Sequence, residues 1–166
     1  MNYLNIEINK LQPITKNLNL LLASYQVYYQ NLRSFHWHVK GNHFFQLHEL
    51  FEELYNHANG AVDDIAERIL TLKHKPLGSM KEYLSLSDID EAKDQLQDME
   101  MLEVILQNHL DLIKRIKVTI QECSNVGDEG SIDLLSNILG FIEKKSWMID
   151  TFLENHKLNK SLSTSN

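Results

Sequence analysis

The sequence predicts an all-α fold, a four-helix bundle with one long crossover between its second and third helices. Three observations support this prediction. Only 6 Gly and 2 Pro interrupt the 166 residues, which is too few for the many turns of a β-rich protein. Apolar residues recur at helical spacing through four long segments. Short breaks join the first and last pairs of segments, whereas the middle connection is long.

The first predicted helix covers residues 13–38, and the second runs from residue 43 or 44 to about residue 72. Pro13 suits a first helical turn, where its missing N–H group is not needed. Gly41 lies in the break between the two helices and can adopt the backbone conformations that end a helix. The break is short, so the two helices should pack as antiparallel neighbours.

The connection over residues 79–90 is too long for a tight turn, and it is predicted to contain a short helical turn around Lys81–Leu84. Ser87 and Asp88 have side chains that commonly cap the start of a helix. The third helix is therefore predicted over residues 90–124, on a stripe of Leu, Met and Ile at helical spacing.

The fourth predicted helix covers residues 130–157, after a break that contains Gly127. Residues 1–10 are predicted to form an N-terminal arm, and residues 158–166 a flexible C-terminal tail. The whole chain, residues 1–166, has the size of one domain. Two short joints around one long crossover give the bundle a ferritin-like connectivity.

Charge and cysteine content restrict the possible functions. The chain has 16 Lys and Arg against 23 Asp and Glu, a net charge of −7, which disfavours nucleic-acid binding and suits cations. The single cysteine, Cys123, excludes an intramolecular disulfide and a cysteine-based zinc site. The N-terminus has no signal-peptide pattern, and no segment approaches the roughly 18 apolar residues of a membrane span. We therefore expect a cytoplasmic protein with no membrane association.

Residues 36–67 concentrate the side chains that can bind metal, including five of the eight histidines. His36 follows Leu18 by five whole helical turns, so it lies on the apolar face of the first helix. On the second helix, four potential ligands fall within an arc of roughly 100°. They are His48, Glu52, Asp63 and Glu67.

These four residues share one side of the helix but cannot share one ion within a chain. Glu52 and Asp63 are eleven residues apart, a rise of about 16 Å, whereas metal–ligand bonds measure about 2 Å. Two separate half-sites are possible. Alternatively, a two-fold axis can bring His36, His48 and Glu52 of one copy to Asp63 and Glu67 of another. Mixed imidazole and carboxylate ligands suit iron, zinc or manganese.

Two familiar metal motifs are absent. No histidine has Glu three residues before it, as an intrachain di-iron site of the bundle type requires. The run that begins at His48 lacks the second histidine of a zinc-protease H-E-x-x-H motif.

At these residues the chain resembles the Dps family, ferritin-like proteins that protect bacterial DNA during starvation and oxidative stress. The matching segments are residues 35–41, 47–49 and 63–68, which read FHWHVKG, LHE and DDIAER. Residues 127–130, 133–135 and 147–148 also resemble the last helix of the family. The resemblance covers most of residues 14–155.

The resemblance implies a hollow homododecamer with ferroxidase sites shared across two-fold dimers. His36 and His48 would come from one subunit, and Asp63 and Glu67 from the other. The family usually has Asp where this chain has Glu52, so the longer side chain leaves its role as ligand or as support for the ligands open. The implied reaction is oxidation of Fe²⁺ to Fe³⁺, preferentially by hydrogen peroxide, and storage of the ferric mineral in the shell. Trp37 beside the site resembles a family tryptophan that intercepts stray oxidising equivalents.

Other candidates have simpler interpretations. Asp128 and Asp133 are either acids that favour the start of a helix or part of an acidic pore that draws Fe²⁺ inward. His38 and His43 are interpreted as surface or capping residues, and His57 as a surface partner of Glu53. Cys123 is interpreted as an inert thiol. Both termini carry few basic residues, so DNA binding is not expected, although twelve tails on one particle could add by avidity.

Overall fold

The computed structural model describes residues 3–93 and 95–163, without the side chains of residues 160, 161 and 163. Its helices are α1 (Gln12–His38), α2 (Phe44–Thr71), α3 (Met80–Leu86), α4 (Asp98–Val126) and α5 (Glu129–Ser163). The described residues contain no β-strand. The prediction of an all-α, ferritin-like four-helix bundle is therefore confirmed, with α3 as the short helix in the crossover. Within the same residues, no helix combines the length and low polarity needed to cross a membrane.

The four long helices pack in two antiparallel pairs, α1 with α2 and α4 with α5, and α1 also packs against α4 and α3. Their apolar stripes form one continuous core in which Leu18, Leu22 and Phe51 are at most 1% exposed. Glycine residues with positive φ follow two of the helices. Gly41 has φ +104° in the α1–α2 connection, and Gly127 has φ +71° directly after α4. Residues with a Cβ rarely adopt these conformations.

The prediction that the third helix begins at residue 90 was wrong, because α4 begins at Asp98. Asn31, a buried residue of α1, forms hydrogen bonds with backbone groups of the segment that precedes α4. Its amide donates to the Asp90 carbonyl at 3.0 Å and accepts from the Ala92 N–H at 2.9 Å. These contacts hold the segment in a non-helical conformation. A capping box between Gln97 and Glu100 then starts α4.

Ser87 and Asp88 do not cap the third long helix. Ser87 closes α3, where its N–H donates to the Tyr83 carbonyl at 3.0 Å. The carboxylate of Asp88 accepts two hydrogen bonds from Arg115, at 2.8 and 2.9 Å. The helical turn that the sequence predicted at Lys81–Leu84 is the longer helix α3, which begins with a capping box between Ser79 and Glu82.

The C-terminal end of the chain is more structured than the sequence predicted, and the N-terminal arm packs on the bundle. Helix α5 continues to Ser163, so residues 158–163 are helical, while residues 164–166 of the predicted tail lie outside the described residues. In the N-terminal arm, Ile6 is 8% exposed and the Tyr3 hydroxyl donates to the Thr71 carbonyl at the end of α2. Residues 1 and 2 lie outside the described part of the arm.

Candidate metal centre

His36 and His48 face each other across the α1–α2 pair. Their rings stack with centroids 3.7 Å apart and planes 20° apart. His36 Nδ1 lies 2.9 Å from the main-chain oxygen of His48, and His48 Nδ1 lies 2.9 Å from the main-chain oxygen of His36. The two histidines therefore form a reciprocal pair near the connection between the helices.

This pairing determines the tautomer of both rings. A carbonyl oxygen can only accept a hydrogen bond, so each Nδ1 must carry the hydrogen. In a neutral imidazole the other nitrogen, Nε2, then has a free lone pair. Hydrogen bonding of one ring nitrogen to a backbone carbonyl is the usual way in which proteins orient a metal-binding histidine. His36 and His48 are both half-buried, so their Nε2 atoms remain candidates for metal ligands.

Tyr55 connects Glu52 to this histidine pair. Its ring meets the His36 ring edge-on at 5.3 Å, and its hydroxyl donates to Glu52 Oε1 at 3.4 Å. Partial desolvation, followed by the neighbouring Glu52 carboxylate, raises the pKa of Tyr55. The phenol therefore stays protonated and can keep donating to the carboxylate. Sequence reasoning missed Tyr55, and its only local signal is the i, i+3 spacing to Glu52.

Asp63 and Glu67 lie further along α2, and both are exposed. Neither carboxylate has a hydrogen bond or ion pair with another described side chain. Among the described residues, no group of three or more His, Cys, Asp or Glu is close enough to hold a metal ion. Thus the chain brings His36 and His48 together and links Glu52 to them only through Tyr55. Asp63 and Glu67 lie apart from Glu52 by about 16 and about 22 Å of helix.

Trp37 is 56% exposed and belongs to a different set of contacts. The guanidinium of Arg33 lies 4.8 Å from the Trp37 ring centroid and 5.4 Å from the Tyr29 ring centroid. Tyr29 in turn meets Tyr55 edge-on at 6.2 Å. Trp37 is therefore linked to the histidine pair through Arg33 and two tyrosines, on the outer side of α1.

The two candidate pore acids differ in their environments. Asp128 is 1% exposed, and it accepts hydrogen bonds from Arg68 and from the hydroxyl of Ser131. It also accepts from the Ser131 N–H at 3.2 Å, which caps the first turn of α5. A carboxylate buried inside its own chain cannot line a solvent-filled pore, so the pore prediction does not hold for Asp128. Asp133 is exposed and stays a candidate.

His57, interpreted from sequence as a surface partner of Glu53, and His43, interpreted as a surface or capping residue, both differ from these interpretations. The His57 ring stacks on Phe141 at 3.6 Å with planes 5° apart, while Glu53 pairs with Lys145 at 2.6 Å. Desolvation lowers the pKa of His57. His43 occupies the N-cap position of α2, but its side chain makes no capping hydrogen bond.

The remaining two residues match their interpretations. His38 is exposed at the end of α1. Cys123 is buried, and desolvation raises the pKa of its thiol to about 12, as expected for an inert thiol.

Comparisons with known proteins identify the family. The ferritin-like domain model matches residues 15–159. DNA protection during starvation protein 2 of Bacillus anthracis is 41% identical over 142 residues, which cover 86% of this chain and 97% of that protein. The chain belongs to the Dps family. The resemblance that the motifs indicated is confirmed.

Solved Dps structures agree with this assignment. The Dps protein of Vibrio cholerae O1 superimposes with a TM-score of 0.89 at 33% identity, and the match covers 92% of this chain and 96% of that chain. That protein is described as a member of a broad superfamily of ferritin-like diiron-carboxylate proteins. Dps of Staphylococcus aureus superimposes with a TM-score of 0.83 at 37% identity, covering 86% and 95% of the two chains. This Dps chain therefore has the family fold over nearly its whole length.

Proposed function

We propose that this Dps protein is a ferroxidase that oxidises Fe²⁺ with hydrogen peroxide and stores the ferric product inside a hollow homododecamer. Two Fe²⁺ ions each give one electron to peroxide. The O–O bond breaks, and two protons complete two water molecules. Because both electrons go to one peroxide molecule, no hydroxyl radical is released. The protein would act in the bacterial cytoplasm or nucleoid and limit oxidative damage there.

The reciprocal hydrogen bonds between His36 and His48 carry this proposal. They leave the Nε2 lone pairs of both neutral rings available. Glu52 is linked to this pair through Tyr55, whose hydroxyl donates to the carboxylate and whose ring contacts His36. Imidazole and carboxylate together suit Fe²⁺, which is the substrate here. The function of this half-site is to bind and orient the ions, and it needs further carboxylates to neutralise their charge.

Asp63 and Glu67 would supply those carboxylates from a second subunit. Two like charges at i, i+4 on one helix destabilise it by about 0.2–0.5 kcal/mol, and neither carboxylate is paired with another described side chain. A two-fold axis that brings them to the histidine pair of a neighbour gives each of them a cationic partner and makes two equivalent sites per dimer. Their unpaired state in one chain supports a role in the assembly.

A subunit-mixing experiment tests the shared site. One variant carries His36→Ala and His48→Ala, and the other carries Asp63→Ala and Glu67→Ala. Each of these two variants alone should oxidise Fe²⁺ more slowly than the wild type in the presence of peroxide. If subunits pair at random after the mixture is unfolded and refolded, half of the dimers are mixed, and each mixed dimer has one intact site. The mixture should therefore recover about one quarter of the wild-type activity. No recovery in correctly sized particles would contradict a shared site.

DNA compaction is the alternative function, and the names of several relatives refer to DNA protection. The charges of this chain argue against it. The chain carries a net charge of −7. Lys10 in the N-terminal arm pairs with Glu7 at 3.1 Å, and Lys157 near the C-terminus pairs with Glu103 at 3.7 Å. We expect no shift of duplex DNA in a gel at low salt, and a salt-sensitive shift would favour the alternative.

A further inference from the structure

His43 points away from the His36–His48 pair, toward the other half of the bundle. Its Nδ1 lies 3.2 Å from Asp98 Oδ2 at the start of α4. The second oxygen of Asp98 accepts the Met99 N–H at 2.9 Å. Because an ionised carboxylate only accepts, His43 Nδ1 carries the hydrogen, and Nε2 of the neutral ring has a free lone pair. A histidine held by a carboxylate in this way is the common arrangement of a metal ligand with its supporting residue.

A second imidazole lies beside it. The rings of His43 and His156 have centroids 5.7 Å apart at an angle of 79°. Both residues are half-buried, and Phe152, one turn before His156, packs edge-on against His43 at 5.3 Å. With Zn–N bonds of about 2.0–2.1 Å, two imidazoles on one tetrahedral ion have ring centroids about 5–6 Å apart. The observed centroid spacing of 5.7 Å falls within this range.

We infer that His43 and His156 bind a divalent transition-metal ion of the zinc class, with Asp98 as the residue that orients His43. The site joins the α1–α2 connection to α5, and Asp98 ties it to α4. Two imidazoles suit zinc, copper or nickel, and water would complete the coordination, because no third His, Cys, Asp or Glu joins these residues in the described part of the chain. It is separate from the His36–His48 pair, whose rings contact Phe44 and Tyr55.

Zinc titration of the assembled protein tests this site. The background is His36→Ala/His48→Ala, which removes the proposed iron-binding histidines, and the heat of Zn²⁺ binding is measured by calorimetry. We expect one ion per subunit in this background. Adding His156→Asn should weaken binding at least tenfold, and adding Asp98→Asn should weaken it 10–100-fold, as loss of a residue supporting a metal ligand does.

Two further variants separate a metal site from a structural contact. His38→Asn removes an exposed histidine of the same region, whose Nδ1 bonds to the Ser34 carbonyl, and it should leave zinc binding unchanged. His156→Cys keeps a zinc ligand at the same place and should restore binding that His156→Asn loses. Zinc binding that is unchanged by His156→Asn, or weakened equally by His38→Asn, would overturn the inference.

Discussion

Tyr28 of α1 and His109 of α4 share a buried hydrogen bond, with 2.7 Å between the phenol oxygen and Nε2. The direction of this bond follows from the rest of the network. Ser146 donates its hydroxyl hydrogen to the Ile142 carbonyl at 2.8 Å, so it accepts from His109 Nδ1 at 2.8 Å. His109 Nε2 therefore accepts from Tyr28. The neutral imidazole links α1, α4 and α5, and protonation would leave Nε2–H facing a phenol that must turn its own hydrogen away.

We predict that this network makes the protein less stable in acid. Burial lowers the pKa of His109 to about 3, below the ordinary value of about 6.5. Above pH 6.5 the ring is neutral in both folded and unfolded chains. As the pH falls from 6.5 toward 3, only the unfolded chain takes up the proton, so stability is lost over this range. At pH 4.5 the loss from His109 alone is about 2–3 kcal/mol.

Urea unfolding of wild type and His109→Gln at pH 7.5 and 4.5 measures this effect. The variant should be less stable at pH 7.5 but should lose less stability on acidification. Because the variant could fold poorly, NMR of the wild-type imidazoles gives a second measurement. A resonance of His109 that titrates between pH 5 and 7 in the folded protein would contradict the prediction.

Asp128→Ala should destabilise the chain by about 3 kcal/mol, because it leaves Arg68 of α2 without its buried partner. The Arg68 side chain is 16% exposed and the Asp128 side chain 1%, so solvent cannot replace the lost carboxylate well. Asp133→Ala, an exposed acid five residues later, should change stability by no more than about 0.5 kcal/mol. Thermal unfolding measures both. If instead Asp128→Ala is stable and only slows iron entry, the pore prediction regains support.

Gly127→Ala and Gly140→Ala should have opposite effects. Gly127 adopts φ +71°, a left-handed conformation that costs an L-residue about 1–2 kcal/mol. Gly140 lies inside α5, and a Cβ added there meets nothing within 4 Å, so alanine should stabilise the helix by about 0.5–1 kcal/mol. Melting temperatures of the two variants check the contrast, and equal effects would contradict the assignment of Gly127 as the helix end.

Helical spacing was enough to predict the four long helices, because each buries one continuous apolar stripe. It could not predict the start of α4. The segment before Asp98 is held by Asn31, whose side chain acts on it from α1 across 61 residues of sequence. Local patterns contain no information about such a contact.

In the candidate site, too, the sequence predicted some features and missed those that depend on how the helices pack. The sequence placed His36 and His48 on two neighbouring helices, and the Dps resemblance implied that one subunit supplies both. The structure brings the two rings together. The reciprocal Nδ1 bonds depend on the register between α1 and α2, which the sequence alone does not reveal. Asp128 and Asp133 looked alike as acids near a helix start, and only the position of Arg68 against Asp128 separates them. The role of Glu52 stays a prediction that rests on its contact with Tyr55.

Trp37→Phe should raise the release of hydroxyl radicals without slowing iron oxidation by more than about twofold. The indole is exposed and stacks with Arg33, away from the nitrogens that would bind Fe²⁺, so its loss should leave the ligands in place. Its aromatic system, linked to the histidine pair through Tyr29 and Tyr55, can give up an electron to a stray oxidant.

Spin trapping during Fe²⁺ oxidation by peroxide measures the radicals. Trp147→Phe, at another exposed indole, on α5, is the control. If both variants release radicals at the wild-type level, Trp37 has no protective role. If Trp37→Phe instead slows Fe²⁺ oxidation strongly, Trp37 belongs among the residues that support the ligands.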